Sequence, residues 1–194
     1  MLEIIIRLLN MIPYMVCAVP LIALFRVVSI ARMKKHGIKT TFLHELGVIL
    51  FSLFLAGLAS QTVIPKIEFG NVPLGIVNGY GGINLIPFMV FRDTYVMVIE
   101  RGNIGYFLMN SLGNVLLFVP FGFCIPVLFN RMTFKKVILI GFLSSLFIEL
   151  VQLLQPRGTD VDDLWINSLG VCLGYAVYKL CGRFMKFGKF RVNV

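Results

Sequence analysis

The sequence predicts an all-α fold: a polytopic helical membrane bundle of about five transmembrane helices, with an outer re-entrant or interfacial segment near residues 84–101. Three observations carry that expectation. Hydrophobic residues make up 58% of the chain and charged residues 14%, against roughly 25% charge in soluble domains. Mean hydropathy is +0.90. Five segments reach the ~20 mostly apolar residues that a span requires, and the loops on the basic side are short. The whole length, 1–194, reads as a single membrane domain.

The first span, near residues 4–29, has Glu3 and Arg7 where a secretory leader would carry a basic stretch. Its apolar run is long and ends in a basic cluster, so it reads as an uncleaved anchor. The second lies near 42–64. After it, Gly70, Asn71, Pro73, Gly75, Asn78, Gly79, Gly81 and Gly82 exclude a continuous helix from the first half of a long outer loop, and long structured loops usually have a function. Within that loop, Asn84-Leu-Ile-Pro-Phe-Met-Val-Phe91 is too short to span. Pro87 suits a first helical turn, so residues 87–101 are expected as a short helix on the membrane surface or dipping into it, with an irregular loop as the alternative.

The third span, near 104–129, places Asn110 and Asn114 four apart on one helix face. Asn114 then lies on the order of 15 Å into the bilayer. Pro120, Gly122 and Pro126 predict a broken helix, which is either a cavity wall or a packing kink. The fourth span, near 137–155, carries Glu149 and Gln152 on one face. The fifth, near 164–181, carries Asp163 and Asn167 on one face, and Gly170 and Gly174 in a small-xxx-small spacing that favours close helix packing.

The formal charge of +9 follows topology and does not point to a nucleic-acid partner. Arg26, Arg32, Lys34, Lys35 and Lys39 follow the first span. Arg131, Lys135 and Lys136 join the third and fourth, and Lys179, Arg183, Lys186, Lys189 and Arg191 end the chain. Only Arg7, Lys66, Arg92, Arg101 and Arg157 fall on the other side. The positive-inside bias therefore predicts a multi-pass membrane protein, with its amino terminus outside and its carboxyl terminus cytoplasmic. Cys17, Cys124, Cys172 and Cys181 show no disulfide or metal spacing and read as small core residues. His36 and His44 flank the inner side, away from the outer acids. No nucleophile with an adjacent base, Walker loop or dinucleotide fingerprint appears, so no cofactor is expected.

Ionisable groups inside a span are costly and by default mark function. Here the intramembrane polar groups agree on one side and depth, beneath the turn Arg157-Gly-Thr-Asp-Val-Asp-Asp163. The candidate ligand-binding residues are Asn84, Arg92, Asn114, Gln152, Arg157, Asp160, Asp162 and Asn167, and the candidate acid or base groups are Glu149 and Asp163. Three aspartates suggest a hard cation, but the run lacks the remaining ligands and spacing of an EF-hand loop, so no metal site is expected. Asp162 or Asp163 is expected to cap the fifth helix. The alternative for the whole constellation is an interhelical network with a structural role, its single bonds each worth about 0.6 to 2 kcal/mol.

Asn84-Leu-Ile-Pro-Phe88, Asn114-Val-Leu-Leu-Phe-Val-Pro-Phe-Gly122, and Glu149-Leu-Val-Gln152 continuing to Asp160-Val-Asp-Asp163, Asn167 and Gly170 together resemble the VanZ family of small bacterial membrane proteins. The likeness runs over residues 84–175, in the family's order and approximate spacing, with a core of about 84–181 after two preceding helices. It implies a membrane protein whose founding relative reduces susceptibility to teicoplanin-type lipoglycopeptides, a class of antibiotic. It carries over no catalytic role, and Asn110 and the first two spans lie outside it.

Three functions follow as expectations. The first is a membrane factor at the outer leaflet that meets the polar head of an amphiphile, with membrane lipids, a lipid-linked wall precursor or a lipoglycopeptide as partners. The second is an enzyme modifying a lipid-linked envelope substrate, with Glu149 or Asp163 as general acid or base. The third is a small lipid or drug transporter built around the proline-broken span.

Overall fold

The structure, a computed structural model, describes residues 5–6, 9–64, 83–154 and 158–192. Arg157, Arg7, Lys66 and the run from Gly70 to Gly82 lie outside the described residues. Helix α1 is Ile12–Lys35 and α2 is Phe42–Thr62; after the short strand β1, Ile83–Asn84, comes helix α3, Met89–Tyr95. Helix α4 runs over Ile104–Leu128. Then follow α5, Phe134–Gln152, strand β2, Thr159–Asp160, and α6, Val161–Cys181. The described residues are overwhelmingly helical, and α1, α2, α4 and α6 are each long and apolar enough to cross a membrane.

Helix α5 corresponds to the span expected fourth, near 137–155, and is not among those four. It carries Lys135 and Lys136 in its first turn and Glu149 in its last. The apolar stretch between those ends packs along α6: Gly141 lies against Val171, and Ser145 against Asn167. A helix packed along α6 occupies the same layer as α6. Its outer face of Leu139, Leu143, Phe147 and Leu150 is exposed, as a lipid-facing surface is.

Lipid tails are as apolar as leucine, so helices in a bilayer associate through close packing and hydrogen bonds. The closest pair is α4 and α6. A methyl group at Gly122 would strike the Val171 carbonyl, one at Gly170 the Val115 carbonyl, and one at Gly174 the Val119 carbonyl. The expected small-xxx-small seam is therefore a backbone-to-backbone contact, with Gly122 facing it from α4. Around this seam lie Leu58, Phe118, Phe121, Ile125, Val137, Ile148 and Val171. Helix α1 is peripheral, with Leu21, Leu24 and Phe25 exposed. It is tied to α2 by the Arg26–Glu45 ion pair at 2.6 Å and by Met11 and Met15 against Gly57.

At the basic end the chain folds back on itself. Thr41 Oγ1 donates to the Lys189 carbonyl, His44 Nδ1 meets the Phe190 carbonyl at 2.9 Å, and Arg191 donates to the Pro126 carbonyl at 2.8 Å and to the Tyr178 hydroxyl at 2.9 Å. These bonds use His44 structurally at the end opposite the acids.

Three local expectations change. Helix α4 runs through Pro120 and Pro126, and its irregularity falls upstream, in a π turn at Leu108–Leu112 where the Gly113 amide bonds the Leu108 carbonyl. Such turns are frequent at functional sites, and this one carries Asn110. The short outer helix begins at Met89, after Phe88 in a left-handed conformation (φ 68°), and continues as a π turn, Val96–Glu100. Pro87 therefore precedes that helix. The third change is a pairing that the apolar patterning gave no sign of: β1 lies parallel to β2, Ile83 opposite Thr159 and Asn84 opposite Asp160.

Candidate functional site

The three aspartates of the outer turn diverge. Asp160 is the cap of α6, accepting from the Asp162 amide at 2.9 Å, and it accepts from Asn84 Nδ2 at 3.0 Å. The expected cap at Asp162 or Asp163 is thus displaced to Asp160, because β2 pairing sets Asp160 in the extended conformation that a cap requires. Asp162 is fully buried and accepts from the Phe88 amide at 2.6 Å, the Val90 amide at 2.8 Å and the Trp165 indole at 2.8 Å. It fastens the start of α3 to α6. Asp163, one residue on, turns the other way and accepts from Asn114 Nδ2 at 2.8 Å.

Asp162→Ala leaves three donors without their acceptor, which is expected to cost about 3 kcal/mol. Trp165 is the one tryptophan, so its emission during thermal melting reads this directly. A lower midpoint with red-shifted emission is expected; an unchanged melt would show that α3 is held by other contacts.

Asp163 and Asn114 open onto a cavity of about 350 Å³. Its walls come from one end of four helices: Gln61 and Thr62 from the last turn of α2, Asn110, Asn114, Leu117 and Phe118 from α4, Ile148, Glu149 and Gln152 from α5, and Asp163 and Asn167 from α6, with Gly158 from the turn. Sequence patterning set Asn110, Asn114, Glu149, Gln152, Asp163 and Asn167 at one depth, and the fold brings them to this one cavity. Asn84 on β1, Asp160 on β2 and Asp162 in the first turn of α6 stand beside it, Asp160 bonded to the other two and Asp162 to the start of α3. Arg92 is exposed on α3 and is not among the lining residues. Arg157 is outside the described residues.

Within the cavity, Glu149 is 4% exposed and accepts from the Asp160 amide at 3.0 Å, so it also pins the turn onto α5. Glu149 and Asp163 interact electrostatically. Gln152 donates to the Thr62 carbonyl at 3.2 Å and closes the end of α2. Asn167 donates to Ser145 Oγ at 2.8 Å, and Ser145 in turn donates to the Asp163 carbonyl at 3.4 Å. That arrangement commits the amide nitrogen and leaves Asn167 Oδ1 buried with no partner among the described residues. A buried acceptor without a donor costs about 1 to 3 kcal/mol.

Ser145 and the end of α2 were not anticipated. Ser145 stands four residues before Glu149 and so shares its helix face; that spacing was the available signal. Gln61 is an amide inside an apolar span, the same signal that singled out Gln152.

The model of a family described as VanZ/LLP1 matches residues 11–182. "Protein VanZ" of Enterococcus faecium is 32% identical over 75 residues, a stretch covering 38% of this chain and 47% of that relative. The match thus spans about half the relative's length. No solved structure matches.

Proposed function

The chain belongs to the VanZ/LLP1 family, and from that premise we propose that it acts at the outer leaflet of the bacterial cell membrane. There it receives the polar head of an amphiphilic envelope ligand in the cavity between α2, α4, α5 and α6, and contributes to resistance against lipoglycopeptides of the teicoplanin type. The observation that carries this reading is the cavity itself. In a protein with 58% hydrophobic residues, two carboxylates and five amides converge on one space at one end of the bundle. Asn167, which lines that space, also holds a buried oxygen with no partner among the described residues. Basic residues gather at the opposite end, which supports the cavity end as the outer one, with the carboxyl terminus cytoplasmic.

The test is expression in a teicoplanin-susceptible bacterium. Wild-type protein is expected to raise the inhibitory concentration several-fold. Asn167→Leu, present in the membrane at the wild-type level, is expected to raise it by no more than half as much on a logarithmic scale. No increase with the wild-type protein would sink the resistance reading.

A second reading, an enzyme using Glu149 or Asp163 as general acid or base, is favoured by one observation: the two carboxylates line the same cavity and interact there. It requires a changed envelope lipid. Mass spectra of lipids from deletion and complemented cells that are identical would remove it.

A further inference from the structure

A second hollow, about 440 Å³, lies between α2 and α5 and is mainly apolar, with Thr62 and Ser144 as its polar members. Leu55, Ala59, Phe121, Leu143 and Phe147 line it. Two of its lining residues, Thr62 and Ile148, also line the polar cavity, so the two spaces are neighbours on either side of them. From Ile148 the groove descends along α5 to Ile140, about 12 Å at the helical rise. Leu143 is 51% exposed and Phe147 59%, so the groove is open sideways, toward lipid. Each space is of the size that holds a bound organic molecule.

The chemistry of the polar half selects its occupant. Its described lining offers Glu149 and Asp163 as acceptors and Gln61, Asn110, Asn114, Gln152 and Asn167 as amides. Amides both donate and accept, and carboxylates accept. A phosphate only accepts, and among the described lining residues it meets two carboxylates and no cation. An ammonium would satisfy the acids but leave unused the second hydrogen of each amide nitrogen, the first being spent on Asp163, the Thr62 carbonyl and Ser145 for Asn114, Gln152 and Asn167. Sugar hydroxyls, each a donor and an acceptor, suit the whole set of carboxylates and amides.

We propose that cavity and groove are two halves of one site, which takes from the bilayer a single-chain amphiphile with an uncharged glycosyl head, the sugar among Asn114, Glu149, Asp163 and Asn167 and the chain between α2 and α5. This rests on the reading of the polar cavity as a ligand site. Entry is lateral: the chain exchanges one apolar surround for another at little cost, and the head exchanges water or lipid head groups for the cavity's hydrogen bonds.

The test uses the full chain in phosphatidylcholine nanodiscs and a dodecyl glucoside bearing a diazirine at the end of its alkyl chain. After irradiation, cross-links are expected on residues 55–63 and 140–148, and not on the exposed α1 positions Leu21 and Phe25. Unlabelled dodecyl glucoside is expected to suppress them, and butyl glucoside to do so about tenfold less well. Ala59→Trp, which fills the groove, and Asn167→Leu, which removes the acceptor, are each expected to cut cross-linking about tenfold, with folding checked by far-UV circular dichroism and thermal melting. The matching dodecyl phosphate and dodecylamine probes are expected to label no more than background.

Each other outcome has a meaning. Labelling spread evenly over α1 and α5 overturns the groove, and so does butyl glucoside competing as well as dodecyl glucoside. If Ala59→Trp labels normally while Asn167→Leu does not, the groove assignment fails and the polar site stands. If the phosphate or amine probe labels as well as the glucoside, the glycosyl head is wrong. If Asn167→Leu and Glu149→Leu both label normally, the polar cavity is no ligand site, and the reading beneath the proposal falls with it. The competition on wild-type protein decides even where a variant does not fold.

Discussion

Replacing Glu149 by leucine is expected to abolish drug protection, while Glu149→Gln is expected to keep a measurable part of it. The carboxylate is 4% exposed and accepts from the Asp160 amide at 3.0 Å while lining the cavity. Leucine removes that acceptor, leaves the Asp160 amide unpaired at a cost of about 1 to 3 kcal/mol, and loosens the turn that positions Asp163. Glutamine keeps an acceptor oxygen at the same place, so the turn stays pinned and the cavity keeps a hydrogen-bonding wall. The inhibitory concentration of teicoplanin, compared at equal membrane protein and with unchanged Trp165 emission, separates the cases. If Glu149→Gln folds normally yet loses all protection, binding alone is insufficient and proton transfer by Glu149 takes its place.

The second large effect is structural. Gly174→Val is expected to destabilise the bundle by about 3 kcal/mol or more, because the added carbons meet the Val119 carbonyl and the Cα of Gly122, which are backbone atoms that cannot rotate aside. Helix α4 must then move away from α6, and the Asn114–Asp163 bond at 2.8 Å breaks with it. Gly188→Ala is the control: nothing lies within 4 Å of its added carbon. Thermal melting in detergent is expected to show a large drop for the first and almost none for the second. A Gly174→Val protein that melts with the wild type would mean that α4 and α6 do not meet on these glycines.

The candidate site was half legible in the sequence. Helical spacing put Asn110 with Asn114, Glu149 with Gln152, and Asp163 with Asn167, and all six line one cavity. Spacing works within a helix because residues three or four apart share a face whatever the helix packs against. The same reasoning failed in the acidic turn. Asp160, Asp162 and Asp163 look equivalent in a run of acids, yet they take a helix cap, a clasp on α3 and a cavity wall respectively. The partners of Asp160 and Asp162 at Asn84, Phe88 and Val90 stand more than seventy residues earlier in the chain, and Asp163's partner Asn114 stands 49 earlier.

The sequence by itself determined an apolar, helical membrane protein of the VanZ/LLP1 family, the approximate limits of its long helices, and a set of polar groups gathered at one depth. Composition and periodicity suffice for that, because a lipid surround admits few backbone choices. Only the tertiary structure decided which of those groups share a space and which are spent on one another. The backbone contact at Gly122, Gly170 and Gly174 fixes how α4 and α6 are turned toward each other. The pairing of residues 83–84 with 159–160 fixes which aspartate faces inward. Both depend on contacts between segments far apart in the chain, where no local spacing reaches.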